Sequence, residues 1–256
     1  MTSAVPSTGL APARRLVVRA IGIVSVLLLA AAVAYSWTTE LLAHGERAQA
    51  TARQAALSIS TYGHLLAAHA QALAHDAAGA PDRAPRSAFP GVQSVQLIPL
   101  GPLGIADPAF RKEVLRNNIE IRLAGRAFNG EKPATEAYRD NGGWILIAAA
   151  AVPGPADHAG GVVLARADLA TVVRDHLPLA HESGEFSVWS QGTDGVYLPM
   201  VRTGRADGDT EPSYRAATDI RPLYAAFEPA SPVPLRLSLG ITALAFAPWL
   251  AALLGA

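Results

Sequence analysis

Val17 to Trp37 reads VVRAIGIVSVLLLAAAVAYSW. A run of about twenty residues with one charge near its start has the length a helix needs to cross a bilayer. Leu237 to Ala256, LSLGITALAFAPWLAALLGA, is apolar over a similar length and carries no charge. Two such runs predict two transmembrane helices, and the residues between them become a domain held at both feet in a membrane. The lipid bilayer is then the first partner the chain requires.

Charge gives the orientation. Arg14, Arg15 and Arg19 stand at the first span, and the first acidic residue is Glu40. By the positive-inside rule the N-terminus is cytoplasmic and residues 38–236 lie outside, in the periplasm. Arginine outnumbers lysine 19 to 2 and alanine is abundant, which suggests a GC-rich bacterial gene and hence a bacterial inner membrane. The competing reading of the N-terminus is a cleaved signal peptide, with Arg14 and Arg15 as its charged region and Ala32-Val33-Ala34 as the small-x-small site. The length of the apolar run and the helix-forming sequence beyond it favour the span.

With the three arginines at the first span set aside, the remaining basic residues are slightly fewer than the 21 acidic ones and follow no pattern. Nucleic acid, which calls for a clustered basic face, is excluded as a partner. The chain has no cysteine, so disulfides and thiol chemistry are excluded and the outer domain must stand on its hydrophobic core. Outside the spans the chain has room for one such domain.

Residues 1–16 form a cytoplasmic tail, and the small, proline-broken stretch Met1 to Ala13 is expected to be disordered. After the span at residues 17–37, residues 38–80 form a long membrane-proximal helix. Leu41, Ala48, Ala52, Ala55, Ile59, Tyr62, Leu66 and Leu73 recur along it at three, four or seven, with Gly45 and Gly63 as weak points. Gly79-Ala80-Pro81 ends it, and Asp82 to Pro90 is a linker.

The outer domain proper spans residues 81–236. Strands are expected at Val92 to Ile98, Glu136 to Arg139, Trp144 to Val152 and Gly160 to Ala165, the third apolar on both faces and therefore central. Asp107-Pro108 predicts the start of a helix through about Leu123, and Asp168 to Leu177 a short one. Asp140-Asn141-Gly142-Gly143 is a tight turn. Glu185 to Ser190 and Val196 to Val201 flank a hairpin turn at Gln191 to Gly195. Thr203 to Ser213 is a polar loop, and Ala216 to Ile220 and Val233 to Leu237 are the last strand pieces, in a stretch broken by four prolines. Residues 237–256 are the second span.

This order of elements resembles the extracytoplasmic PAS-like sensor domains called Cache domains. The residues that carry the likeness are Tyr138 to Leu177, where WILIAAAAVPGPADHAGGVVLARADLATVV follows the pattern of strand, turn, glycine-led strand and helix. The resemblance implies an α+β fold in which two transmembrane helices bracket a PAS/Cache-like antiparallel sheet domain with a long membrane-proximal helix. A second resemblance is to the membrane-anchored N-terminal extension of some bacterial phosphomannomutase/phosphoglucomutase enzymes, through FPGVQSVQLIPLG at Phe89 to Gly101 between a first span with its long helix and a second span. It implies a cytoplasmic catalytic region beyond the second span. Since no basic residue follows that span before Ala256, a truncated product is expected.

Mutase chemistry is not expected in this chain. The family's Thr-Ala-Ser-His loop is absent, and Asp207-Gly208-Asp209 lacks the third aspartate and the preceding apolar strand of the metal-binding loop, so it reads as a polar loop. His44, His64, His69 and His75 do not repeat at i, i+4 and are expected to be solvated. His158, His176 and His181 lie in or near turns without accompanying ligands. Ser183 and Ser187 lack a nucleophile elbow, and Asp207, Asp209 and Glu211 lack the rest of a calcium loop. No catalytic residue, metal site or cofactor is expected.

The Cache resemblance places Tyr138, Arg139, Trp144 and Arg166 on or beside the central strands, where an arginine could grip the carboxylate of a small anionic ligand. The alternative is that Tyr138 and Trp144 pack in the core or at its rim and both arginines face water. The expected function is a sensory or regulatory input, with homodimerisation through the long helix. The alternative function is a membrane anchor or scaffold for an envelope complex that binds no small molecule.

Overall fold

The computed structural model describes residues 10–79, 85–99, 115–141, 143–154, 159–176, 184–192, 195–203 and 212–229. Two compact units divide the chain, one of residues 1–47 with 230–256 and one of residues 48–229.

The described part of the first unit is helical. Helix α1 runs Leu10–Gly79 over 70 residues, passing through Gly45 and Gly63 without a break. It already begins inside the tail expected to be disordered, since Pro12 falls in the first turn, where its missing N–H has no partner to lose. Ile23, Val24, Leu27, Leu28, Leu29 and Tyr35 are all more than half exposed on it. Among the described residues this is the one helix long and apolar enough to cross a membrane. The second expected span, Leu237 to Ala256, lies outside the described residues, as does the expected strand Val233 to Leu237.

The second unit is an α+β domain of two four-stranded antiparallel sheets, where one sheet was expected. The first sheet has the order β1-β4-β3-β2, from β1 (Val92–Pro99), β2 (Glu136–Asp140), β3 (Gly143–Pro153) and β4 (Ala159–Asp168). As its apolar run predicted, β3 is an inner strand. Asn141 makes the β2–β3 turn with a left-handed φ of 42°, a conformation asparagine tolerates better than most residues. The second sheet has the order β6-β5-β8-β7, from β5 (Gly184–Gln191), β6 (Tyr197–Arg202), β7 (Tyr214–Ala217) and β8 (Leu223–Pro229).

Three elements depart from expectation. Residues 100–114 are outside the described set, and helix α2 is Asn118–Phe128 instead of ending near Leu123, because Asn117 caps it with Oδ1 accepting from the amides of Ile119 and Glu120. Strand β7 stops at Ala217, since Thr218 to Pro222 form the turn into β8, with Leu223 N donating to Ile220 O at 2.8 Å. Strand β8 was not expected at all, because Pro222 and Pro229 bound it; they stand outside its interior, where a proline removes no ladder bond. The expected short helix after Asp168 is present as α3 (Leu169–Thr171), running into a π-helical turn at Val172–His176.

The alanine-rich seam of α1 explains how the two sheets meet. Ala55, Ile59, Tyr62, Leu66, Ala70 and Leu73 pack in one core with Leu146, Ala148 and Ala165 of the first sheet and with Val188 and Ala225 of the second. Leu41, the first residue of the predicted repeat, is instead 48% exposed. A second core lies on the other face of the first sheet, where Leu123, Ala124 and Ala127 of α2 cover Ile147, Val162 and Leu164. The linker docks on α1 as well: His69 Nε2 is 2.7 Å from Ser87 Oγ, its ring stacks on Phe89 at 4.9 Å, and Tyr62 Oη donates to Pro90 O at 2.7 Å. His69, expected to be solvated, is half-buried there, and burial lowers its pKa.

Gly63 of α1 meets the segment before β2 and the turn between β7 and β8. Its carbonyl accepts Thr135 Oγ1 at 2.6 Å, and a Cβ at Gly63 would stand 2.5 Å from Ile220 Cδ1. Alanine would gain roughly 1 kcal/mol of helix propensity, but overpacking beside the buried Ile220 costs about 1–3 kcal/mol. Gly63→Ala is therefore expected to lower the thermal midpoint, and the double variant Gly63→Ala with Ile220→Val to recover part of the loss in a calorimetric comparison.

Candidate functional site

A buried polar cluster sits between α2 and the first sheet. Asn117 caps α2, which places Glu120 at the third helical position and on the same face as Leu123, Ala124 and Ala127, turned toward the sheet. On the sheet, strand alternation puts Gln96, Tyr138 and Arg166 on that face, together with Ile98, Ile147 and Leu164.

Glu120 has no exposed surface and Arg166 is 2% exposed. Their pairing is bidentate: Arg166 Nε donates to Glu120 Oε1 at 2.7 Å and Nη2 to Oε2 at 2.9 Å. Arg166 Nη2 also donates to Gln96 Oε1 at 2.8 Å. The tyrosine hydroxyl of Tyr138 donates to Glu120 Oε1 at 2.6 Å, and the Arg116 amide to Oε2 at 2.9 Å. Each carboxylate oxygen thus accepts two hydrogen bonds, which accounts for its lone pairs.

The electrostatics follow. Burial pushes the Glu120 pKa up, but the hydrogen bonds from Arg166, Tyr138 and the Arg116 amide, with the Arg166 charge, outweigh it and hold the pKa below the usual carboxylate range. Burial and then the Glu120 hydrogen bond push the Tyr138 hydroxyl up to about 12. For Arg166 burial favours the neutral form, and the hydrogen bond and charge of Glu120 reverse that and raise its pKa. The cluster is a carboxylate kept ionised beside a permanent cation. Such an arrangement ties α2 to the sheet and has no proton to give or take near neutral pH.

Of the four residues expected at a ligand site, the structure brings Tyr138 and Arg166 together, and the carboxylate that Arg166 grips is the protein's own Glu120. Arg139 and Trp144 are cross-strand partners on the opposite face. Arg139 is exposed, and Trp144 is half-buried against the core that contains α1. Glu120 and Gln96 were not singled out from the sequence. The signal for Glu120 was present as Asn117 followed three residues later by Glu, with apolar residues at three, four and seven beyond it; the helix start placed at Asp107 hid it. Among the described residues no group of three His, Asp or Glu could hold a metal ion. His158, His181, Ser183, Asp207, Asp209 and Glu211 lie outside the described residues.

A second cluster, unexpected from the sequence, lies on the second sheet. Trp189 is buried, donates from Nε1 to Ser187 Oγ at 2.8 Å, and has the Arg202 guanidinium 5.2 Å from its ring centre. Arg215 lies 4.2 Å from the ring of Tyr197, which meets Tyr224 edge-on at 5.2 Å, while Tyr224 Oη donates to Gln191 Oε1 at 2.9 Å. The Arg202–Trp189 contact joins the neighbouring strands β6 and β5, the Arg215–Tyr197 contact links the two edge strands β7 and β6, and each adds roughly 0.5–2 kcal/mol.

No protein-family model and no curated protein sequence matches the chain. The likeness to Cache domains and to the mutase extension rests on the residues quoted for it.

Glu120→Gln removes the charge that balances Arg166 and is expected to destabilise the domain by about 3–5 kcal/mol in a denaturant titration. The folded pKa of Glu120 lies below the unfolded value of about 4.3, so its contribution is complete above that pH and is lost as pH falls through the folded pKa. Wild-type stability should therefore drop more steeply below about pH 4.3 than that of Glu120→Gln, whose curve lacks this contribution. Equal slopes for the two proteins would show that the carboxylate is not held ionised.

Proposed function

We propose that the chain is an inner-membrane protein whose α+β domain is held outside the cytoplasm as a sensory or regulatory input, with its output in a mutase-like cytoplasmic region beyond the second span. The observation that carries this reading is α1 itself. One continuous helix contains both the exposed apolar stretch Ile23 to Tyr35, of bilayer-crossing character, and the seam from Ala55 to Leu73 on which both sheets are packed. A ligand that favours one packing of the sheets on that seam biases the helix that enters the membrane. The bias can be no larger than the ligand's differential affinity for the two packings.

The anchor or scaffold reading has an observation in its favour too. Tyr138 and Arg166, the residues best suited to hold an anion, are satisfied by Glu120 inside the fold. An anionic ligand would meet Arg139 beside Trp144 on the other face instead.

Two measurements on the full chain test this. Alkaline extraction of native membranes should leave the protein in the membrane fraction; its release would remove the membrane assignment from both readings. A thermal-shift screen of the detergent-solubilised chain with small carboxylates and sugar phosphates should then find a stabilising compound. Saturation at about 100 times Kd contributes roughly 2.7 kcal/mol, a rise of several degrees for a domain of this size. Retention in the membrane without any shift across the panel would put the scaffold reading first.

A further inference from the structure

Helix α1 has a second face. Opposite the buried seam, Ala50, Leu57, Thr61, Leu65, Ala68 and Ala72 are all exposed, at spacings of seven, four, four, three and four, which keep them on one side of a helix. Leu57 is 68% and Leu65 53% exposed. The exposed side of a helix in water ordinarily carries abundant charge. Between Ala48 and His75, however, Arg53 is the one Asp, Glu, Lys or Arg, and it stands at the edge of this stripe, as does the exposed His64, whose Nε2 lies 3.4 Å from Asp219 Oδ2. Two leucines flanked by alanines, with the exposed but uncharged Gln54 and Thr61 on the same side, make a stripe of about six turns suited to contact with another helix.

The lack of charge points to which helix. In a parallel two-fold pair each residue meets its own copy, so any acidic or basic residue on the seam would face a like charge. A neutral stripe is self-complementary, and alanines at its ends let two backbones approach. Membrane anchoring makes the pairing parallel, because in every copy the apolar stretch stands N-terminal to the stripe in the chain. We infer that the Ala50–Ala72 face of α1 is the seam of a parallel homodimer of this chain, in which Leu57 meets Leu57 and Leu65 meets Leu65. The inference rests on the membrane-anchored reading, from which it takes the parallel direction.

The chain has no cysteine, so single cysteines report the pairing directly. Leu57→Cys, Leu65→Cys and, as an exposed control on β6, Leu198→Cys are oxidised mildly in native membranes and run without reductant. The first two should give a band of twice the monomer mass several-fold more strongly than the control. Adding Thr61→Glu should reduce the Leu57→Cys cross-link several-fold by setting like charges against each other. Three results would overturn the inference: equal yields at all three positions, no dimer band at Leu57 or Leu65, or cross-linking only in mixtures of Leu57→Cys with Leu65→Cys, which marks an antiparallel pair. Loss of the protein to the supernatant in alkali would instead defeat the anchored reading, and a stripe that still cross-linked in that soluble chain would keep the dimer without its membrane-set direction.

Discussion

The seam of α1 is the constraint from which the domain follows. Ala48, Ala52, Ala55, Ala56, Ala70, Ala74 and Ala77 are each 5% exposed or less, so much of the buried face of the helix is methyl groups close to the backbone. A seam of that kind brings sheets near the helix axis and gains stability by close packing more than by the size of any one side chain. The larger residues sit at intervals, with Ile59 and Leu66 fully buried and Tyr62 using its hydroxyl on Pro90 O. Gly63 belongs to the same logic, since it is the point where the helix backbone meets Ile220 and Thr135.

The ion pair of Glu120 and Arg166 is the second constraint and a different kind of force. Taking both charges out of water is so unfavourable that the pair adds little net stability over a well-packed apolar equivalent. What it adds is selectivity. Apolar residues on α2 could slide along the sheet at modest cost, whereas a carboxylate with four donors has one seat. Shifting the register of β4 by one residue would turn Arg166 to the α1 side and leave Glu120 charged and unpaired. The interaction thus selects one alignment of β1, β4 and α2 among several that hydrophobic contact alone would allow.

How much of this could be read in advance varied with the reach of the signal. The α1 seam from Ala48 to Leu73 and the strands of the first sheet were legible because each is a local pattern, a repeat of three and four or a run of apolar residues closed by a turn. Leu41 failed for the same reason it was chosen, since periodicity gives a face and not what lies against it. Strand β8 was lost because prolines were counted as breaking the segment when they bound it. The site was half legible. Tyr138 and Arg166 were singled out as groups that could bind an anion, and they do hold a carboxylate, but whether the partner is internal depends on the packing of α2, some forty residues away in sequence from Arg166.

The two faces of α1 show why the helix is more than a strut. A helix that merely braced two sheets would bury one face and turn charged side chains to water on the other. Here the outer face between Ala48 and His75 is nearly as free of charged side chains as the inner one, although Leu57 and Leu65 belong to no core among the described residues. Selection for the monomer's stability or solubility would favour polar residues at those positions. The described contacts of the fold give those two leucines no role, and the pairing inferred above would give them one, along the same helix that carries the apolar stretch Ile23 to Tyr35.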